Sequence, residues 1–518
     1  MPRRAWVPGS TGWSAAAPAG TPTLPSVPRK RGAAAWPAEG DGARRATRRR
    51  PPRTPGASAR SRGHRRVRRS GCLPCARCAE WLPVGSDPHE CEPIATHSLG
   101  CCANHVATLG GPVSKSDAPR RILRAARVLD PASSGPLVDA EVVVEDDVIR
   151  AIRPWGGPAS PTDVIEEFPG ATILPGLVDA HVHYTIDGRE EDAIQRAWER
   201  HAAETSFIGA RNARLALASG VTTARSAGAA HDLDIPLARA IAAGLIPGPR
   251  LLPAGAALTI TGGHGRFFGT EVDDVPSMVR ETRRLVRDGA SHVKVVASEA
   301  AMLVGQLAGV SELGHDEIAP IVAETARLGR RVMAHAQNSA SVVAAATAGV
   351  TTVEHAFLAD DAALRVLKER GAYLTPTLAV TDVYACAQDL APAVAARQRE
   401  ISEQHRASCQ RAIELGIPLL AGSDCGVPRI MPDMLAREVR LLEEHGLSAL
   451  EALRAATLTG AQALGVDHLV GSLEAGLQAD LLVVPDDPLH DLRVLERPIA
   501  VFQDGVPVAR DGVAVVER

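Results

Sequence analysis

The run Ile173-Leu174-Pro175-Gly176-Leu177-Val178-Asp179-Ala180-His181-Val182-His183-Tyr184 decides how the chain is read. It starts as an apolar strand, breaks at Pro-Gly, and resumes as Leu-Val-Asp-Ala before two histidines one residue apart. Side chains alternate faces along a strand, so positions i and i+2 point the same way. His181 and His183 therefore share a face and can bind one ion, imidazole being the commonest metal ligand. Taken alone, such a pair is more often two surface histidines, so the rest of the chain has to supply the context.

Working outward, the stretch 173–465 alternates strand-like and helix-like runs. Apolar runs recur at 221–226, 250–255, 292–297, 331–336, 351–356, 372–377 and 417–423, most with helical periodicity between them. With 173–183 they make eight strands, which predicts a (β/α)8 TIM barrel. An open parallel sheet is the alternative, and it does not explain the ligand positions that follow. The flanks, 119–172 and 466–518, are rich in short Val- and Ile-bearing strands with turns between them. They predict one small β-sandwich built from both ends of the catalytic chain. The glycines of ALASGVTTARSAG, AAATAGVTTVEHA and AIELGIPLLAGSD end helices before strands, which is a capping role and not a phosphate loop.

Barrel enzymes carry their active residues at the carboxyl ends of strands. The chemistry-bearing residues of this chain fall there. They are His181 and His183 on the first strand, Lys294 on the fourth and His335 on the fifth. His355 on the sixth and Asp424 on the eighth complete the set. A lysine among Val and Ala is costly to desolvate as an ammonium unless its stem carries it to solvent.

The run ILPGLVDAHVHY, with the order His-x-His, Lys, His, His, Asp, resembles the binuclear amidohydrolase superfamily over about residues 121–518. Within it the chain is similar to the imidazolonepropionase-like group that includes Xaa-Pro dipeptidases. Imidazolonepropionase itself lacks the bridging lysine, so Lys294 argues against that identity. The resemblance implies two divalent metal ions, zinc foremost, held by the six residues just named, with Lys294 carboxylated by carbon dioxide into a bridging carbamate. It implies hydrolysis of an amide C–N bond, in a dipeptide, N-acyl amino acid or cyclic amide. A metal-bridging hydroxide attacks, and Asp424 shuttles the proton. Gly262-Gly263-His264-Gly265-Arg266 resembles a loop of prolidase-like members, in which His264 and Arg266 meet a substrate carboxylate or the developing oxyanion; a Gly-rich turn with solvated side chains is the plainer reading. Tyr184 either donates to substrate or packs. The chain departs from many relatives at Ser226 and Gln337, neither of them a ligand, which leaves the substrate open. A mononuclear deaminase of the same superfamily would not need Lys294, and a non-catalytic scaffold would have lost ligands.

The N-terminal region, 1–118, is a different kind of sequence. Residues 1–115 hold 19 of the 57 Lys+Arg but 6 of the 60 Asp+Glu, so the net charge of −3 averages a basic head and an acidic body. Arg, Pro and Ala dominate the head without periodicity, which predicts a disordered tail. Nucleic-acid or anion binding by this tail, or a zinc knuckle at Cys72, Cys75, Cys78 and Cys91, are weaker readings than a start codon set too far upstream. The body's three scattered cysteines, Cys386, Cys409 and Cys425, point to a reducing, cytoplasmic setting. No run of 18 apolar residues spans a membrane, and no apolar segment follows Arg3 and Arg4 to make a secretory signal. The partner expected is a small-molecule substrate, with self-association open.

Overall fold

The computed structural model describes residues 119–300 and 310–515. The expectations for residues 1–118, including the cysteine cluster, lie outside the described residues.

Strands β1 (Arg121–Val128), β2 (Leu137–Glu145), β3 (Val148–Pro154) and β4 (Val164–Pro175) open the described chain. Next come β5 (Leu177–Val182), α1 (Ala202–Ala218), β6 (Val221–Ser226), α2 (Asp234–Ala242), β7 (Arg250–Leu252), β8 (Ala257–Thr259) and β9 (Gly269–Glu271). Then α3 (Val275–Asp288), β10 (His292–Val296), α4 (His315–Arg327), β11 (Arg331–Asn338), α5 (Ser339–Ala348), β12 (Thr352–Leu358), α6 (Asp361–Arg370) and β13 (Tyr373–Thr375) alternate. Helices α7 (Leu378–Cys386), α8 (Pro392–Glu414), α9 (Leu435–Glu444), α10 (Ala449–Ala455) and α11 (Leu458–Leu464) follow. Strands β14 (Leu481–Val484), β15 (Ala500–Gln503), β16 (Val506–Arg510) and β17 (Val513–Ala514) close it. The protein is a mixed α/β fold.

Strands from the two ends form one eight-stranded sheet, ordered β17-β16-β15-β14-β4-β1-β2-β3. The two pieces join where β14 runs antiparallel to β4, with Leu482 opposite Leu174. Leu123, Val142, Ile173, Leu481 and Phe502 share its core. Their alternation with outward polar residues such as Arg124 and Glu167 is what makes this segment a sheet rather than a helix.

Strand β4 ends at Pro175 and hands the chain to a second layer at Gly176. A Cβ there would lie 2.2 Å from Thr222 Oγ1, so glycine is required for the strands to approach. Beyond it the strands run parallel, β5-β6-β7 in one sheet and β13-β12-β11-β10-β8-β9 in another. Ser291 N donates to Pro253 O at 2.8 Å, linking the end of β7 to the start of β10.

The run at 417–423, expected as a strand, forms none; a lone bridge pairs Leu419 with Leu374. It is still threaded between β13 and β5: Leu420 N donates to Leu374 O at 2.9 Å, and Ala180 N donates to Ala421 O at 2.9 Å. Gly422 presses against His181, where an added Cβ would lie 2.8 Å from His181 Cβ, so this close approach needs glycine.

The helices between strands start and stop on local chemistry. Asn338 caps α5 through Ser341 N, and Gly349, at φ 90°, ends it in the left-handed region that glycine reaches without strain. Their buried faces, among them Val342, Leu364 and Leu367, pack with Val293, Val332 and Val353 of the parallel strands in the main core. No helix among the described residues is long and apolar enough to cross a membrane.

Candidate metal centre and active-site cavity

Strand β5 presents His181 and His183 at its carboxyl end, and the chain returns at Asp424, whose backbone N–H donates to His181 O at 2.8 Å. That bond fixes where the carboxylate lands. Asp424 Oδ1 lies 3.2 Å from His181 Nε2 and 3.6 Å from His183 Nε2. The ligand atoms of these three residues all fall within 4.8 Å of one another. The His355 ring packs 5.0 Å from His181 and 4.5 Å from His335, centroid to centroid. Lys294 is 2% exposed. All six expected ligands line a single cavity of about 270 Å³.

The backbone leaves ordinary geometry at this end of the fold. His355, Thr377 and Asp424 have φ of 78°, 56° and 55°. Non-glycine residues rarely adopt such values, and they cluster where a side chain must be re-aimed.

Three of the four histidines are held from behind. His181 Nδ1 pairs with Glu354 Oε2 at 2.9 Å, His183 Nδ1 donates to Gly228 O at 3.0 Å, and His355 Nδ1 lies 2.8 Å from Thr377 Oγ1. An anchored Nδ1 fixes the ring and leaves Nε2 its lone pair for the centre. Glu354 is buried and is held in turn by Arg225, whose Nη2 donates to Oε1 at 3.0 Å while its Nε donates to Ala180 O at 2.8 Å. Sequence reasoning missed Arg225, Glu354 and Thr377. The signal for Arg225 was available: a cation inside the apolar strand VTTARS must be paired if buried.

Burial holds the His183 imidazolium down to about 3 and pushes His335 and His355 well below their ordinary value, so these rings are neutral donors of electron pairs. Burial and Lys294 act against a proton on His181, but Asp424 and Glu354 outweigh them and raise its pKa. Burial also opposes the Asp424 carboxylate, yet His181, His183 and Lys294 hold it well below the usual carboxylate range. Burial pulls the Lys294 ammonium down to about 8 against the charges of Glu354 and Asp424. His335 Nε2 is buried with no hydrogen-bond partner. Four imidazoles and a carboxylate lining one cavity, one imidazole nitrogen orphaned, are a donor set that fits divalent metal ions.

His264 also lines the cavity, in a short 3-10 turn after β8, its ring 4.9 Å from that of His335 and its buried Nδ1 without a partner. Its neighbours among the expected substrate contacts lie elsewhere. Arg266 donates to Gly262 O and Gly263 O at 3.3 and 3.1 Å and lies 4.0 Å over the Phe267 ring, outside the cavity lining. Tyr184 is 2% exposed within the main core, because the residue after His183 faces the other way. Gln337 lines the cavity, whereas Ser226 bonds His292 Nε2 through its carbonyl at 2.9 Å.

The amidohydrolase family model matches residues 172–508. Ochratoxinase from Aspergillus niger is 27% identical over 427 residues, covering 75% of this chain and 86% of that protein. Its solved structure superposes with a TM-score of 0.68, covering 75% of this chain and 95% of that one. A prolidase solved with N-methylphosphonate-L-proline is 28% identical with a TM-score of 0.68, covering 76% of this chain and all of the other.

Proposed function

The chain belongs to the amidohydrolase family and is a hydrolase acting on carbon–nitrogen bonds, and from that premise we propose that it cleaves an amide of a small molecule at a binuclear metal centre. The observation that carries the reading is the meeting of His181, His183, Lys294, His335, His355 and Asp424 at one cavity. Dipeptides, N-acyl amino acids and cyclic amides are the substrate classes open to it.

We read the parallel layer as a (β/α)8 barrel. The staves are β5, β6, β7 continued by β8, β10, β11, β12, β13 and the run at 417–421, with the backbone bonds at Pro253, Leu374 and Ala421 supporting closure. We assign residues 173–465 to this barrel, and 119–172 with 466–518 to the small β-sandwich, whose described strands form one continuous sheet. Ligands at the carboxyl ends of the staves agree with that architecture.

His181, His183 and Asp424 would hold one ion, and His335 and His355 the other. Zinc suits the donors, as do other borderline divalent ions. Bound there, the ions supply an activated water and polarise the scissile carbonyl. Lys294 would support the pair as a carbamate: its ammonium first gives up one proton, and the neutral amine then adds to carbon dioxide and loses a second, so that a cation becomes an anion. Asp424 takes the proton of the attacking water and returns it to the leaving nitrogen. His264 Nδ1, unpaired in the cavity wall, binds substrate by hydrogen bond.

The test is metal content together with a screen. Purified, metal-loaded protein should carry close to two ions per chain and release amine from members of a library of dipeptides, N-acyl amino acids, cyclic amides and N-acylated amines. One ion per chain with ammonia release would instead favour a deaminase.

A further inference from the structure

Outside its metal end the cavity is walled by apolar side chains. Ile194, Phe267 and Phe268 line it, as do Val380 of α7, Val394 of α8 and Leu390 between the two helices. The polar interruptions are amides, an imidazole and a phenol: Gln195, Gln337, Gln398, His264 and Tyr384, whose hydroxyl donates to Pro428 O at 3.1 Å. Among the described residues, the single ionised side chain on these walls is Glu191, an anion.

A substrate with a free carboxylate needs a cation beside its binding position, because an unpaired charge is strongly disfavoured in such surroundings. None is offered. Arg266 bonds two carbonyls of its own turn through Nη1, stacks over Phe267 and lies outside the cavity lining. Arg429, near the mouth, is bonded to Glu191 at 2.8 Å and to Asp389 at 2.7 Å. Lys294 lies at the metal end. No Lys or Arg occurs in the sequence between Lys294 and Arg327.

We infer that this cavity selects amides whose ends are uncharged, seating a bulky apolar or aromatic group against the α7–α8 wall, and that it discriminates against substrates with a free α-carboxylate. The inference rests on the amide-hydrolase reading above and narrows it, to cyclic amides and N-acylated apolar amines rather than dipeptides or N-acyl amino acids.

A matched pair of uncleavable ketones separates the two questions. 5-Phenylpentan-2-one has the shape of an N-acylated phenylalkylamine, and 2-benzyl-4-oxopentanoic acid is the same skeleton with the carboxylate restored. Calorimetry with the metal-loaded protein should give at least tenfold tighter binding of the neutral ketone. Val394→Lys, which places a cation on the α8 wall at a half-buried position, should shrink or reverse that ratio about tenfold while keeping its metal content. Equal or tighter binding of the acid by the unaltered protein, no binding of either ketone, or an unmoved ratio in a metal-replete Val394→Lys would overturn the inference. A clear preference for the neutral ketone in a protein that cleaves no amide would uphold the cavity's selectivity and sink the hydrolase reading instead.

Discussion

His181 Nδ1 lies 2.9 Å from Oε2 of the buried Glu354, whose other oxygen is bonded by Arg225 at 3.0 Å. The three groups make a chain from a buried cation, through a carboxylate, to a candidate metal ligand. Arg225 and His181 together hold the Glu354 carboxyl down to about 2 despite its burial, so it stays ionised across the working range.

Glu354→Gln keeps the volume and removes the charge. Loss of such a partner behind a ligating imidazole typically weakens metal binding roughly 10- to 100-fold. Competition against a chromophoric chelator reads this directly, and unchanged affinity would remove Glu354 from its positioning role. Glu354→Ala should also destabilise the fold by about 3–5 kcal/mol, since it leaves Arg225 buried without its counter-charge.

Lys294→Ala tests the bridge. The variant should lose one or both ions, measured as metal per chain after dialysis, and activity should fall with them. Reconstituting the unaltered protein under carbon dioxide-free conditions should slow recovery of activity, with bicarbonate restoring it. Full occupancy and full turnover in the alanine variant would rule out a bridging role.

Asp424→Asn separates holding from proton transfer. An asparagine oxygen still ligates but accepts no proton at neutral pH. Most of the metal should remain while kcat drops by about 10²–10⁴. Near-normal turnover would contradict the shuttle.

How much of this was legible beforehand follows from what sequence patterns encode. The His181/His183 pair and the strand-end positions of His335 and His355 follow from periods of two and from apolar runs. Glu354 did not, because neighbours on a strand should face apart. It reaches His181 while His355 approaches Asp424, and the left-handed φ of His355 and Ala356, 78° and 52°, breaks the alternation just there. Nor does a side-chain pattern show that the run at 417–423 forms no strand and is held by backbone bonds to Leu374 and Ala180. Arg266 was legible as a cation near the site. That its guanidinium would fold back onto Gly262 and Gly263 depends on the path of a tight turn, and no side-chain pattern encodes it.

His405 of α8, which is not itself among the candidate ligands, gives a pH prediction. Its ring packs 4.2 Å from Phe357, its Nδ1 lies 2.9 Å from Thr381 Oγ1, and its Nε2 is buried without a partner. Burial lowers its pKa to about 3 from an ordinary 6.5. Between those values the unfolded chain binds a proton that the folded chain refuses, so acid favours unfolding. The stabilisation is complete above pH 6.5 and is lost as pH falls towards 3, at up to about 1.4 kcal/mol per pH unit. His405→Gln removes this titration at the cost of some ring packing, about 1 kcal/mol. In urea unfolding the variant should be the weaker protein at pH 8. Its deficit should shrink and then reverse below about pH 6, as the unaltered chain begins to lose stability to protonation of this one ring. Stability profiles that stay parallel from pH 8 to pH 5 would show that His405 is not a source of acid sensitivity.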